Sequence, residues 1–167
     1  KLRRLFDYKP LDDIQATRGT VAIPRVLNMY EDFPFWFTLL TEMGFRVIVS
    51  PQSGKKLYED GMDTISSDTA CYPAKIVHGH IKWLLKQGIK TVFYPCINYE
   101  VKEDKNAPSN YNCPIVATYA EVIANNMTEQ FEEAGAKLMH PFLPYDNDKR
   151  LLNALVDTFK EYNISRS

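Results

Sequence analysis

A chain of 167 residues, 45% apolar and 25% charged, is sized for one domain and can bury roughly two-thirds of its unfolded surface. Its formal net charge of -1 carries no electrostatic footprint for nucleic acid or an anionic membrane, and the basic start Lys1-Leu2-Arg3-Arg4 is too short for a binding arm. No apolar run approaches the roughly 18–20 residues needed to span a bilayer, and with the chain turning polar at once through "DYKPLDD" no secretory leader is expected. The 3 cysteines, an odd number, argue against a closed disulfide framework and for a reducing compartment, with the cytoplasm as the expected location. A first residue of Lys rather than Met is what a piece cut from a longer protein would have.

Residues 1–19 have no sustained period and are broken by Pro10, Asp12, Asp13 and Gly19, so they read as an N-terminal arm or linker before an α/β domain at 20–167. "TVAIP" (20–24) is a short β-branched run stopped by proline, the pattern of a buried strand. "EDFPFWFTLLTEMG" (31–44) opens with two acids, has Pro34 near its first turn and ends at glycine, which predicts a helix with Phe33, Trp36, Phe37 and Leu40 inward. "FRVIVSP" (45–51) predicts the second strand, and "SGKKLYEDG" (53–61) a short helix capped by Ser53. "YPAKIVHGHIKWLLKQG" (72–88) predicts a helix with Pro73 in its first turn and Gly88 at its end. "IKTVFYP" (89–95) predicts the third strand, "CPIVATY" (113–119) a fourth, and "AEVIANNM" (120–127) a helix continuing unevenly to Gly135. "AKLMHPFLP" (136–144) predicts a fifth strand, and "DNDKRLLNALVDTFKEYN" (146–163) a closing helix capped by Asp146 or Asn147. The polar loop at 97–112 is long for a compact domain, and such loops are usually functional or mobile. Strands alternating with helices at this spacing predict a Rossmann-like, flavodoxin-like sandwich: a mostly parallel sheet of about five strands with helices on both faces.

Ligands in open α/β sheets bind outside the carboxyl ends of the strands. That rule selects Arg25, Asn28, Ser50, Cys96, Asn98 and Tyr99, together with Cys113 at the far end of the long loop and Cys71 at the start of the 72–88 helix. All of the cysteines lie within two residues of a proline, in "CYP", "YPC" and "NCP". A helix N-terminus favours a thiolate at Cys71, and Lys75 one turn on adds to that. Two readings stand side by side. Three thiolates from separate loops suit an iron–sulfur cluster. The spacing, however, has nothing of CxxC or a ferredoxin run, and free cysteine is among the most buried residue types, so on spacing alone buried spectators are favoured. His78 and His80 are two apart on a helix and cannot share one metal, and His80 falls on the apolar stripe as a core residue; no zinc site is expected. The run Phe33–Phe37 reads as core, with Trp36 able to wall a pocket, and the acids at 100–104 as a solvated loop face. No GxGxxG, P-loop or GxSxG is present.

The stretches "IPRVLNMYEDFPFW", "SPQSGKKLYEDG", "CYPAKIVHGHI", "FYPCINYE" and "YNCPIVATYAEVI" resemble DUF2229, a domain of large activase-type proteins related to the 2-hydroxyacyl-CoA dehydratase and benzoyl-CoA reductase systems. In such proteins an actin-like ATPase module often precedes the domain and a dehydratase-like region follows it. The resemblance implies flavodoxin-like folding, ATP-driven one-electron transfer, and a [4Fe–4S] cluster held by three cysteines. Carried onto this chain, it makes Cys71, Cys96 and Cys113 candidate iron–sulfur ligands, in a module that does not turn over alone. The partners it implies are the ATPase and dehydratase-like parts of a parent chain. Two alternatives from other classes stand beside it. One is a non-catalytic docking module with structural cysteines; the other is a small-ligand or acyl-CoA domain, with Arg25, Lys75 and the 97–112 loop around an anionic group.

Overall fold

A computed structural model of the chain describes residues 6–102 and 104–164, so the basic start at residues 1–4 lies outside the described residues. Along the sequence run β1 (Thr20–Ile23), α1 (Met29–Glu42), β2 (Arg46–Val49), α2 (Lys55–Gly61), α3 (Tyr72–Lys86), β3 (Thr91–Phe93), α4 (Pro114–Asn126), α5 (Thr128–Glu133), β4 (Lys137–Met139) and α6 (Asp148–Thr158). The sheet is parallel throughout, in the order β2-β1-β3-β4, with Ala22 opposite Val92 and Val92 opposite Leu138. The fold is therefore the expected flavodoxin-like α/β sandwich, with four strands among the described residues rather than five.

The lost strand is residues 113–119, which form the first half of α4. Ile115, Val116 and Thr118 gave the segment its strand-like composition. The proline at the first helical position and the inward Ala117, Ala120 and Ile123, three residues apart, follow helical logic instead. Two smaller differences concern helix starts. α1 begins two residues before the expected Glu31, so Pro34 lies inside the helix, where it removes a backbone donor. α2 is preceded by Gly54 rather than capped by Ser53, because the Ser53 hydroxyl is committed to His80.

Right-handed crossovers fix which face each helix covers. The chain moves from β1 outward to β2, then reverses to β3 and β4, so α1 lies on one face and α3, α4 and α5 on the other. α6 joins α1: Phe93 of the sheet meets Trp36 of α1 with ring centres 5.0 Å apart, and Phe159 beyond α6 at 5.6 Å. Helices α1 and α3 end near glycines with positive φ, Gly44 (+81°) and Gly88 (+77°), as their sequences predict.

α2 lies on α3 at backbone distance. A Cβ placed on Gly79 would stand 1.7 Å from the Leu57 carbonyl oxygen, and one on Gly61 would stand 2.4 Å from the Gly79 nitrogen. No side-chain motion relieves a clash with backbone. Gly79→Ala is expected to destabilise the domain by about 2–3 kcal/mol, read as a lowered urea midpoint.

Candidate functional site

The connections leaving β1 and β3 depart in opposite directions, which makes the carboxyl edge between these strands the crevice where such sheets bind ligands. The backbone is strained there. Leu27, between β1 and α1, has φ +44°, a region that branched side chains rarely adopt. The Arg25 backbone N–H donates to Ser50 Oγ (2.7 Å), and its guanidinium lies 3.9 Å over the Phe6 ring. Lys75 donates to the Asp68 carbonyl (3.3 Å).

Cys71 and Cys113 occupy equivalent positions. Each is the N-cap residue of its helix, α3 or α4, each has a proline in the following first turn, each is exposed, and neither side chain closes a capping hydrogen bond. The two helices run side by side and are joined by a buried rung. The Thr64 hydroxyl donates to the Gly61 carbonyl (2.9 Å), so it accepts from His78 Nδ1–H (2.9 Å). His78 Nε2 is thereby left to accept the Tyr119 hydroxyl proton (3.2 Å). His78 follows Cys71 by seven residues and Tyr119 follows Cys113 by six. At about 1.5 Å rise per residue, both N-termini stand roughly 10 Å beyond the rung, at matching height. Both thiols are exposed, each at the start of one of two helices that pack on the same face of the sheet.

Cys96 differs from them in being buried. It continues β3 in a bridge with Phe142, its N–H donating to the Pro141 carbonyl and its carbonyl accepting from Leu143 N–H, both at 2.9 Å. It is 1% exposed, and burial, helped by the charge of Glu121, pushes its thiol up to about 11. Cys96 also borders a cleft of about 240 Å³ that includes Asn98, Tyr99, Asp146 and Arg150. Among the described residues, no three His, Cys, Asp or Glu side chains gather closely enough to hold a metal ion. Alkylation of the native chain should accordingly label Cys71 and Cys113 and spare Cys96 until unfolding. Peptide mass analysis before and after adding denaturant checks this.

The histidines behave as core residues. His80 is fully buried, held by Ser50 Oγ at Nδ1 (2.7 Å) and Ser53 Oγ at Nε2 (2.9 Å). Burial pushes both His78 and His80 down to about 4, which keeps them neutral near pH 7. They point to different partners, as their spacing predicts.

What the sequence hid is an acidic crevice on the α1 side. Asp32, in the first turn of α1, and Glu100, in the long loop, are brought together. Burial first, then the charges of Glu100 and Glu31, push Asp32 up to about 7. Glu100 is raised by burial and by Glu31, against the opposing pull of the Asn112 and Asn28 amides. The Tyr145 hydroxyl is pushed up by burial and by the same two carboxyls. Glu100 is thus no solvated loop residue: the loop folds back through a Tyr99–Tyr111 bridge, and Asn112 Nδ2 donates to Glu100 Oε1 (2.5 Å).

Native Asp32 keeps its proton up to about pH 7, whereas an ordinary aspartate releases it near 3.8. Between those values the native state binds more protons than the unfolded chain, so this group's contribution to stability falls as pH rises. Asp32→Asn should therefore stabilise the domain at pH 8 by about 1–2 kcal/mol, allowing for partial exposure, and have little effect at pH 4. Urea denaturation of both proteins at the two pH values measures the difference, with the acid loss from His78 and His80 common to both.

The architecture defines a flavodoxin-like α/β domain with an exposed cysteine at the start of α3 and another at the start of α4. The family model of the CoA enzyme activase uncharacterised domain (DUF2229) matches residues 20–167, beginning where β1 begins. The chain belongs to that family. No curated protein and no solved structure matches it. Among the described residues no helix is long and apolar enough to cross a membrane.

Proposed function

We propose that this domain is the iron–sulfur, electron-transfer module of an ATP-dependent CoA enzyme activase system related to 2-hydroxyacyl-CoA dehydratases. Its partners in this reading are an ATPase activator module and a dehydratase-like region of the parent protein. The supporting observation is the matched pair of helix N-caps. Each thiol is exposed at the start of its helix and closes no capping hydrogen bond, so each is presented to solvent.

The donor set fits a cluster in part. Two outward thiols on neighbouring helices suit an iron–sulfur group, which when bound would supply a one-electron carrier. Cys96 is the inner candidate, and its enclosure means that it joins such a group only with movement of the surrounding chain. Cys71 and Cys113 therefore carry the proposal, with remaining ligands coming from Cys96 or from the parent protein. The role of the domain's own residues is to hold the thiol-bearing helices in register through His78 and Tyr119 and to keep water from the inner face.

Anaerobic reconstitution of the parent protein with iron and sulfide tests this. Bound iron and its visible absorption should fall by more than half in Cys71→Ala and in Cys113→Ala. Retention of full iron by the double variant, or no iron in the wild type, rejects the assignment. Cys96→Ala separates a three-thiol site, which would lose iron, from one completed by the parent protein. A docking module with structural cysteines is the second reading, favoured by exposed Tyr72 (52%), Tyr111 (66%) and Phe142 (54%) along the same edge. Iron-free protein that still binds the ATPase module would select it.

A further inference from the structure

Beside the turn between β1 and α1 lies an apolar slot of about 200 Å³ that shares no wall residue with the acidic crevice and uses none of the thiols. Val26, Leu27 and Tyr30 meet Tyr72, Pro73 and Ile76 of α3 around it, and Ser53, from the connection between β2 and α2, stands at its edge. The slot is at the carboxyl edge of the sheet, where α/β folds take their ligands. Its wall includes Leu27, whose φ of +44° is strain of the kind held at ligand-gripping turns. Among the described residues no charged side chain lines it.

Ser53 ends a hydrogen-bonded chain whose direction follows from burial. Ser50 is 1% exposed, and its Oγ accepts from the Arg25 backbone N–H (2.7 Å). Its one other partner among the described residues is His80 Nδ1 (2.7 Å). A buried hydroxyl proton left unbonded is costly, so Ser50 donates to Nδ1. The neutral His80 ring then carries its proton on Nε2 and donates to Ser53 Oγ (2.9 Å). Ser53 therefore accepts, and its own hydroxyl proton stays free to donate. Successive bonds pointing one way polarise one another, which makes this last O–H a stronger donor than an isolated serine. The same direction leaves Ser53 with no base to take its proton, so the array suits binding rather than nucleophilic attack.

We propose that the slot binds a small neutral aliphatic molecule with a carbonyl oxygen, such as a short ketone or amide, its body against Leu27 and Ile76 and its oxygen on the Ser53 hydroxyl. Apolar walls with one directed polar group are the usual make-up of a small-molecule site. Burial of methylene groups recognises the body, and the free donor recognises the oxygen. A carboxylate or ammonium group would give up its hydration with no opposite charge in the walls to replace it.

The test is an NMR titration of the chain labelled in its Ile, Leu and Val methyls and its histidine rings. The probes are methyl propyl ketone and butyramide. Cyclopentane, which has no acceptor, and butyrate, which is charged, are the comparisons. Leu27 and Ile76 are the reporters, with Val92 and Leu138 in the sheet as references. The expected result is a saturable shift of the reporter methyls with both probes, the references unmoved, and a His80 ring protonated on Nε2. Ser53→Ala should weaken binding of the ketone by about threefold to tenfold, the worth of one hydrogen bond. Ile76→Phe, which fills the slot, should abolish it, and either variant suffices if the other fails to fold. The proposal is overturned if neither probe gives a saturable shift, if cyclopentane or butyrate binds as tightly, or if folded variants bind as the wild type does. A His80 proton on Nδ1 also overturns it, because Ser53 would then donate to the ring.

Discussion

The handedness of the strand connections is the constraint on which the rest of this molecule depends. A right-handed crossover, applied to the order β2-β1-β3-β4, sends α1 to one face and α3 and α4 to the other. Every major connecting helix then starts at the carboxyl edge. That requirement brings Cys71, Cys113, Asp32 and Asn28, each at or near a helix start, to one rim from points far apart in the chain. The same rule leaves the β1–β3 crevice open, because the chain departs from it on both sides. Strained Leu27 lies in that opening, as expected where the backbone must turn sharply from a buried strand into a helix.

Much of this was legible because the informative signals were local. Glycine marked the ends of helices α1 and α3 and proline the start of α3, and Asn147 announced α6, whose Arg150 N–H its side chain accepts at 3.0 Å. The two histidines could be assigned to different surroundings from spacing alone. The failure at 113–119 has the same origin as these successes. A short run of β-branched residues scores as strand when read by composition, but Cys113-Pro114 is a helix start, and packing of Ala117, Ala120 and Ile123 under α4 outweighed the local preference. Burial of Cys96 beside two exposed thiols was harder to see. All three share a proline-rich setting, and what distinguishes them is that Cys96 extends a strand into the core whereas the others precede helices.

The acidic crevice was hidden for a deeper reason. Asp32 looks like an ordinary complement to the dipole of α1, and Glu100 like an ordinary surface acid. Only the return of the long loop gives them a common environment. Tyr99 and Tyr111 clasp across it with ring centres 4.3 Å apart, and paired hydrogen bonds run between Glu100 and Asn110. A contact made by chain reversal over a dozen residues leaves no periodic trace in either segment. Its signature is instead energetic: two carboxyls and a phenol displaced toward their neutral forms, with unpaired atoms among them.

The loop also ties the two sides of the rim together. Asn112 spends one amide nitrogen on both the Ile97 carbonyl (2.9 Å) and the Glu100 carboxylate, and its backbone N–H on the Asn98 carbonyl (2.9 Å). The next residue is Cys113, the N-cap of α4. The segment that positions this thiol is therefore anchored to the residues immediately following Cys96 and to one of the two carboxyls of the crevice. A charge change at Glu100 alters the hydrogen bond that Asn112 makes, since a carboxylate accepts it more strongly than a neutral acid does. The electrostatic state of the crevice and the placement of the α4 N-terminus are thus joined through a single side chain, although the groups involved face opposite layers of the sheet.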